Sequence, residues 1–128
     1  MKRQTRQLRG VTPVSREQAI VVSTSRGARV LSLGEIDWIE AADNYARIWI
    51  GGRSYLLRES LRELERRMRA HGFARAHRRA LVRLEGIREL TWTEAGGLVA
   101  VLGGGAKVRI SRRQRTAFSA AVRSLARV

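Results

Sequence analysis

The sequence predicts a mainly β domain with two short helices, and three observations predict it. Apolar residues recur in short runs separated by Gly-rich or polar turns from Ala19 to Ile110. Only two stretches, one after Ser60 and one after Ser111, combine a helix cap with a helical apolar stripe. At 128 residues and 44% hydrophobic, with a single Pro, the chain has the size and apolar content of one domain with a buried core.

Each element has its own justification. Ala19-Ile20-Val21-Val22 and Val30-Leu31 flank a polar turn around Arg26-Gly27, which predicts a first hairpin. Ile36-Asp37-Trp38-Ile39-Glu40 is a third short apolar run. From Tyr45 to Ile50 the pattern alternates strictly, with Ala46, Ile48 and Ile50 on one face and Tyr45, Arg47 and Trp49 on the other. Gly51-Gly52 supplies a two-residue turn, and Ser54 to Leu57 returns beside the strand before it.

Ser60 and Glu63 have capping-box spacing, Leu61, Leu64 and Met68 form a stripe, and Gly72 stops the first helix. Glu63 with Arg67 and Glu65 with Arg69 have the four-residue spacing of ion pairs, so this helix reads as scaffold. Trp92 in the Leu90 to Thr93 strand, like Trp38 and Trp49, is expected to pack rather than to stack on bases. Leu98 to Leu102, the turn Gly103-Gly104-Gly105, and Ala106 to Ile110 make another hairpin, with Ala106, Val108 and Ile110 inward and Lys107 and Arg109 outward. The last helix is expected to start at Ser111, with Gln114 at the capping-box position and Phe118, Val122 and Leu125 buried. Residues 1–17 read as a basic, floppy leader without the apolar centre of a secretion signal, and residues 18–128 as the domain.

Charge narrows the class. There are 26 Lys+Arg against 11 Asp+Glu, a formal net charge of +15, and all the cations but Lys2 and Lys107 are arginine. A GC-rich codon bias accounts for arginine over lysine, but not for the excess of base over acid. So basic a domain carries the electrostatic footprint of a nucleic-acid binder or of a protein that meets an anionic membrane. The charge is also concentrated. Arg75 to Arg79 holds four cationic or protonatable side chains, and the segment is closed by Phe73 before it and Leu81-Val82 after it. That pattern describes a basic surface pinned to a core. Arg112, Arg113 and Arg115 crowd the start of the last helix, where the helix dipole is positive and acids are preferred. An anion docked at Ser111 would relieve that conflict, solvated arginine being the competing reading.

Other chemistries find little support. With zero Cys there is neither a disulfide framework nor a thiolate metal site, which fits a cytoplasmic protein. No apolar run approaches the ~20 residues of a membrane span. Two histidines and scattered acids leave no catalytic triad, paired carboxylates or metal cluster, so neither an enzyme nor a cofactor is expected. Gly103 to Gly105 lacks the following Lys-Ser/Thr and helix of a phosphate-binding loop.

Four segments, in order and at consistent spacing, resemble one family. Ile36-Asp37-Trp38-Ile39-Glu40-Ala41-Ala42-Asp43-Asn44-Tyr45 resembles the opening of the LytTR-type DNA-binding domain of bacterial transcription regulators, and Tyr55-Leu56-Leu57-Arg58-Glu59-Ser60-Leu61 its strand and following helix start. Phe73-Ala74-Arg75-Ala76-His77-Arg78-Arg79-Ala80-Leu81-Val82 is similar to its hallmark segment, and Val108-Arg109-Ile110-Ser111-Arg112-Arg113 to its closing one. The resemblance implies an elongated domain of small antiparallel sheets that places loops in successive major grooves, at paired direct repeats of promoter DNA.

It also implies contact sites at Asn44, Tyr45 and Arg47, at His77, Arg78 and Arg79, and at Ser111, Arg112 and Arg113, while Arg115 reads as a phosphate contact. Tyr45 and His77 stay open between packing and contact. Arg79 stands where the family has Ser, and Arg83 where it has Asn, which is expected to strengthen phosphate affinity. The chain has no room for the receiver domain common in the family, so a stand-alone regulator, a fragment of a longer one, and control by a separate regulatory protein are the expectations left open. A monomer in solution that pairs on DNA is another. A sequence-neutral RNA-binding or nucleoid protein, and a module for an acidic protein partner, are the other classes that the charge allows.

Overall fold

The computed structural model describes residues 18–125, so the leader expected over residues 1–17 lies outside the described residues. Along the chain it contains β1 (Ala19–Thr24), β2 (Gly27–Ser32), β3 (Trp38–Ala42), β4 (Tyr45–Ile50), β5 (Arg53–Leu57), α1 (Leu61–Met68), β6 (Phe73–His77), β7 (Ala80–Arg83), β8 (Ile87–Trp92), β9 (Leu98–Leu102), β10 (Lys107–Ile110) and α2 (Arg115–Ser124). Every pairing is antiparallel. The strands form three sheets: β1-β2, β5-β4-β3-β7-β6 and β10-β9-β8. This is the mainly β, two-helix architecture that the apolar patterning predicts.

The five-stranded sheet is the frame. Its centre is the one non-consecutive pairing, β7 against β3, with Ile39 opposite Leu81 and Glu40 opposite Ala80. Alternation along β7 then sends neighbouring side chains to opposite faces. Leu81 enters one core with Ile39, Ile48, Phe73, the α1 stripe of Leu61, Leu64 and Met68, and Ile20, Val22 and Leu31 from the first hairpin. Ala80 and Val82 enter a second core with Leu98, Ala100, Leu102, Val108, Ile110 and Phe118. Each fully buried Leu, Ile or Phe contributes about 1.5–3 kcal/mol relative to exposure. The hallmark hairpin is thus clamped from both sides.

Trp38 and Trp49 pack as expected: opposite each other on β3 and β4, their rings stack at 6.2 Å and 12°. Trp49 Nε1 also donates to Glu40 Oε1 at 2.9 Å. Trp92 departs from its expectation and is 61% exposed at the end of β8, an edge strand of its sheet.

α1 is capped by Ser60 Oγ, which accepts from the Glu63 N–H at 3.1 Å, and the chain leaves the following 3₁₀ turn at Gly72, φ +84°. Glu65 pairs with Arg69 as the spacing predicts, but Glu63 pairs with Arg66. Arg67 is drawn instead to Glu59, ahead of the cap, at 3.1 Å. α2 begins one turn later than expected. Ser111 Oγ accepts from the Gln114 N–H at 3.3 Å, but it caps a 3₁₀ turn over Arg112–Gln114. Phe118 is buried and Val122 half-buried, whereas Leu125 is 36% exposed because it lies in the turn that ends α2.

Candidate nucleic-acid interface

The β7–β3 pairing brings two motif segments to one end of the central sheet, and a third joins them there. Ala42 pairs with Tyr45, which leaves Asp43 and Asn44 as the tip of the β3–β4 turn. Asp43 holds φ +56°, a left-handed conformation that Asp tolerates better than most side chains. His77 pairs with Ala80, which leaves Arg78 and Arg79 as the tip of the β6–β7 turn. A register shift between Arg75 and His77 re-aims this turn.

Two hydrogen bonds, one of them from a side chain, lock these tips together. Ala41 N–H donates to the Arg79 carbonyl at 2.9 Å, and Arg79 Nη2 donates back to the Ala41 carbonyl at 2.9 Å. The third segment joins through Ser111 N–H, which donates to the Ala76 carbonyl at 2.8 Å.

Between α1, the β6–β7 turn and the start of α2 lies a cleft of about 650 Å³. Its walls carry Arg62, Arg75, Arg78, Arg109 and Arg113 against one acid, Glu65. His77 and Ser111 also line it, so four of the sequence-predicted residues (His77, Arg78, Ser111 and Arg113) meet in one concave basic surface.

The cations there do different work. Arg75 is part of the frame. Its Nη2 and Nε bond Glu65 Oε1 at 2.7 and 3.1 Å, and its Nη1 donates to the Arg78 carbonyl at 2.8 Å, bracing the turn. Arg78 is exposed and pairs with no acid among the described residues, leaving its charge uncompensated. His77 is half-buried, and its Nδ1 accepts from the Arg79 N–H at 3.2 Å. An accepting Nδ1 places the proton of a neutral imidazole on Nε2, making the ring a donor. Burial first, then the charges of Arg109, Arg79, Arg75 and Arg78, hold its pKa below the usual histidine value.

Arg62 and Arg109 were missed by sequence reasoning. Arg62 was absorbed into a helix read as scaffold, although it is the α1 arginine with no carboxylate at ion-pair distance among the described residues. Local spacing hides it: Glu59 and Glu65 stand three residues to either side of Arg62, but the fold commits Glu59 to Arg67 and Glu65 to Arg69 and Arg75.

Not every expected residue reaches the cleft. Asn44 and Tyr45 are exposed on the neighbouring turn. Arg47 lies along β4, 3.8 Å from Glu40, and donates to Ser54 Oγ at 3.3 Å. Arg112 is exposed outside the cleft, and Arg115 is half-buried with its guanidinium over Trp92. Arg83 turns inward: its Nε donates to the Ile36 carbonyl at 2.7 Å and its side chain is 18% exposed. The charge gained there is spent on joining β7 to the segment before β3, not on enlarging the basic surface.

Among the described residues no three His, Asp or Glu side chains are grouped to hold a metal ion, and no helix is long and apolar enough to cross a membrane. Against known families, the profile of the LytTr DNA-binding domain matches residues 26–123. The chain belongs to that family. LytTr domains are DNA-binding domains of transcription regulators, so DNA is the partner that membership implies.

The fold agrees with a solved structure, the LytTr DNA-binding domain of a putative methyl-accepting/DNA response regulator from Bacillus cereus. The similarity has a TM-score of 0.74 at 18% identity, covering 82% of this chain and 96% of that one. No curated protein matches the sequence.

Proposed function

We propose that this LytTr domain, residues 18–128, is the reading head of a sequence-specific bacterial transcription regulator that binds promoter DNA at paired direct repeats. One observation carries the reading. Three turns, bonded to one another through Ala41, Arg79, Ala76 and Ser111, share one end of the sheet with an arginine-walled cleft whose charge is largely uncompensated. A rigid row of turns suits a groove, because base readout needs donors held in fixed geometry while phosphate contacts set the position.

Asn44 and Arg78 are assigned to base edges, adenine and guanine respectively, with Tyr45 beside them. His77 donates from Nε2. Arg79, Ser111, Arg112 and Arg113 contact or position the backbone, with Arg115 at the flank. Arg47 acts through the sheet, holding Tyr45's strand beside Glu40 and Ser54. Selection of bound sites from a random duplex library tests the proposal. A recovered two-repeat consensus, bound ~10³-fold or more above random DNA, is expected. Equal affinity for all duplexes, or for single-stranded RNA, would make the protein a sequence-neutral nucleic-acid binder instead.

A further inference from the structure

Trp92 is the most exposed of the large apolar side chains among the described residues. Over its ring, 5.2 Å from the centroid, lies the guanidinium of Arg115. Arg115 Nε is the one buried side-chain polar atom among the described residues without a hydrogen-bond partner. No carboxylate there pairs with this arginine either. The free protein thus keeps a held cation unneutralised and a buried donor unpaired, which is costly.

Their place in the fold gives this arrangement a use. Trp92 pairs with Leu98, and Leu98 with Ile110, so the indole stands level with the end of β10. The next residue, Ser111, opens the turn that carries Arg113 into the cleft, and Arg115 begins α2 directly after that turn. Trp92 and Arg115 therefore flank the third motif segment.

We propose that Trp92 and Arg115 form a second grip on the DNA backbone, beside the segment that the three turns engage. The inference rests on the DNA-binding reading. The aromatic face attracts the guanidinium and fixes its plane, with the Nε edge against protein and the Nη edge left for a phosphate. Arg115 makes the contact, and Trp92 is a positioning residue that acts through it. A lysine could not replace Arg115, because an ammonium lacks the planar face that stacks and the fork that reaches two phosphate oxygens.

A double-mutant cycle on the full chain tests this, using a random-sequence duplex at several salt concentrations, since a phosphate contact acts on all sequences alike. Arg115→Ala is expected to weaken binding and to make the log–log salt slope shallower by about 0.9, one phosphate. Trp92→Ala should lose roughly 2- to 5-fold in affinity. Trp92→Phe should retain most of it, and Arg115→Lys should keep the salt slope but lose affinity, because the ammonium keeps the charge without the planar fork. In the Arg115→Ala background, Trp92→Ala should have no further effect.

An unchanged affinity in Trp92→Ala, or an equal loss with and without Arg115, overturns the inference. Thermal unfolding of each variant separates a lost contact from a loosened α2, and Trp92→Phe keeps the test sound if Trp92→Ala unfolds. Salt-insensitive binding by the unmodified protein would instead remove the DNA reading itself.

Discussion

At the scale of single residues, chemistry at this surface depends on which side chains the fold has already committed. Arg75, Arg83 and Arg47 are held by Glu65, the Ile36 carbonyl and Glu40, while Arg62 and Arg78 pair with no acid among the described residues. This difference separates expected outcomes. Asn44→Ala and Arg78→Ala should each cost ~1–3 kcal/mol on the selected site and relax one of its positions, with less effect on random DNA. Arg62→Ala should weaken all sequences alike and make the salt slope shallower by about 0.9. Competition anisotropy against selected and random duplexes distinguishes them, and equal losses on both duplexes for Asn44→Ala and Arg78→Ala would remove the base-reading assignment.

His77 adds a pH dependence whose sign follows from its environment. Burial and four arginines depress its pKa in the free domain. Its contribution to folding is therefore fully present above the unfolded value, about 6.5, and is lost as pH falls below it toward the folded pKa. A phosphate in the cleft opposes those arginines and raises the pKa, so DNA binding should take up a proton. Affinity should rise more steeply in the protein than in His77→Gln as pH drops from neutral to below 6, compared at one ionic strength. At pH 7.5 the two should agree within a few-fold, because Gln Nε2 can donate from nearly the same place. Parallel pH profiles would show that no phosphate approaches His77.

At the scale of elements, the turns depend on cores that lie behind them. α2 places the Ser111–Gln114 turn, and α2 is anchored by Phe118, 1% exposed in the second core. Phe118→Ala should cost ~3–5 kcal/mol in urea unfolding. It should also impair DNA binding under conditions where the variant is still folded, although no cleft side chain changes. Full affinity in a folded Phe118→Ala protein would mean that Ser111 and the Ala76 carbonyl hold the turn without the helix.

Much at this scale was legible in the sequence. The strict alternation from Tyr45 to Ile50, the Gly51-Gly52 turn, the Ser60 cap and the Gly72 stop are local signals, and each marks a real boundary. What the sequence left hidden is non-local. Arg83 turns inward because a carbonyl 47 residues away accepts its Nε–H. Trp92 is exposed at the end of an edge strand, a position that nothing in its local pattern marks. The cleft walls come from α1, β6, β10 and the turn before α2, and only the pairing of β7 with β3 decides that the motif turns share one end. Local periodicity carries no information about that pairing. Motif resemblance found His77, Arg78, Ser111 and Arg113, whereas Arg62 and Arg109 needed the assembled fold.

At the scale of the whole molecule, a net charge of +15 on 128 residues governs how copies meet. In free solution two copies repel wherever their surfaces approach within the screening length, ~8–10 Å at physiological salt. The exposed large apolar side chains on the described strands are scattered: Val21 and Val30, cross-strand partners on the β1–β2 hairpin, are 55% and 57% exposed, while Leu56 and Trp92 stand on other strands. Two valines fall far short of the ~800 Å² that each partner contributes to a stable interface. The domain should therefore be monomeric by itself.

On a duplex with two repeats, phosphates neutralise the cations of both copies, and the DNA supplies the high effective concentration. Two copies should then occupy one duplex, and binding of each should weaken with salt at a log–log slope of about −0.9 per phosphate engaged. Analytical ultracentrifugation with and without the two-repeat duplex reads the first expectation, and anisotropy titrations across salt read the second. A flat salt profile would leave the arginine surface without a role in binding. A stable dimer at low micromolar concentration without DNA would point to the Val21–Val30 face as an interface, with Val21→Lys as the variant that should dissociate it.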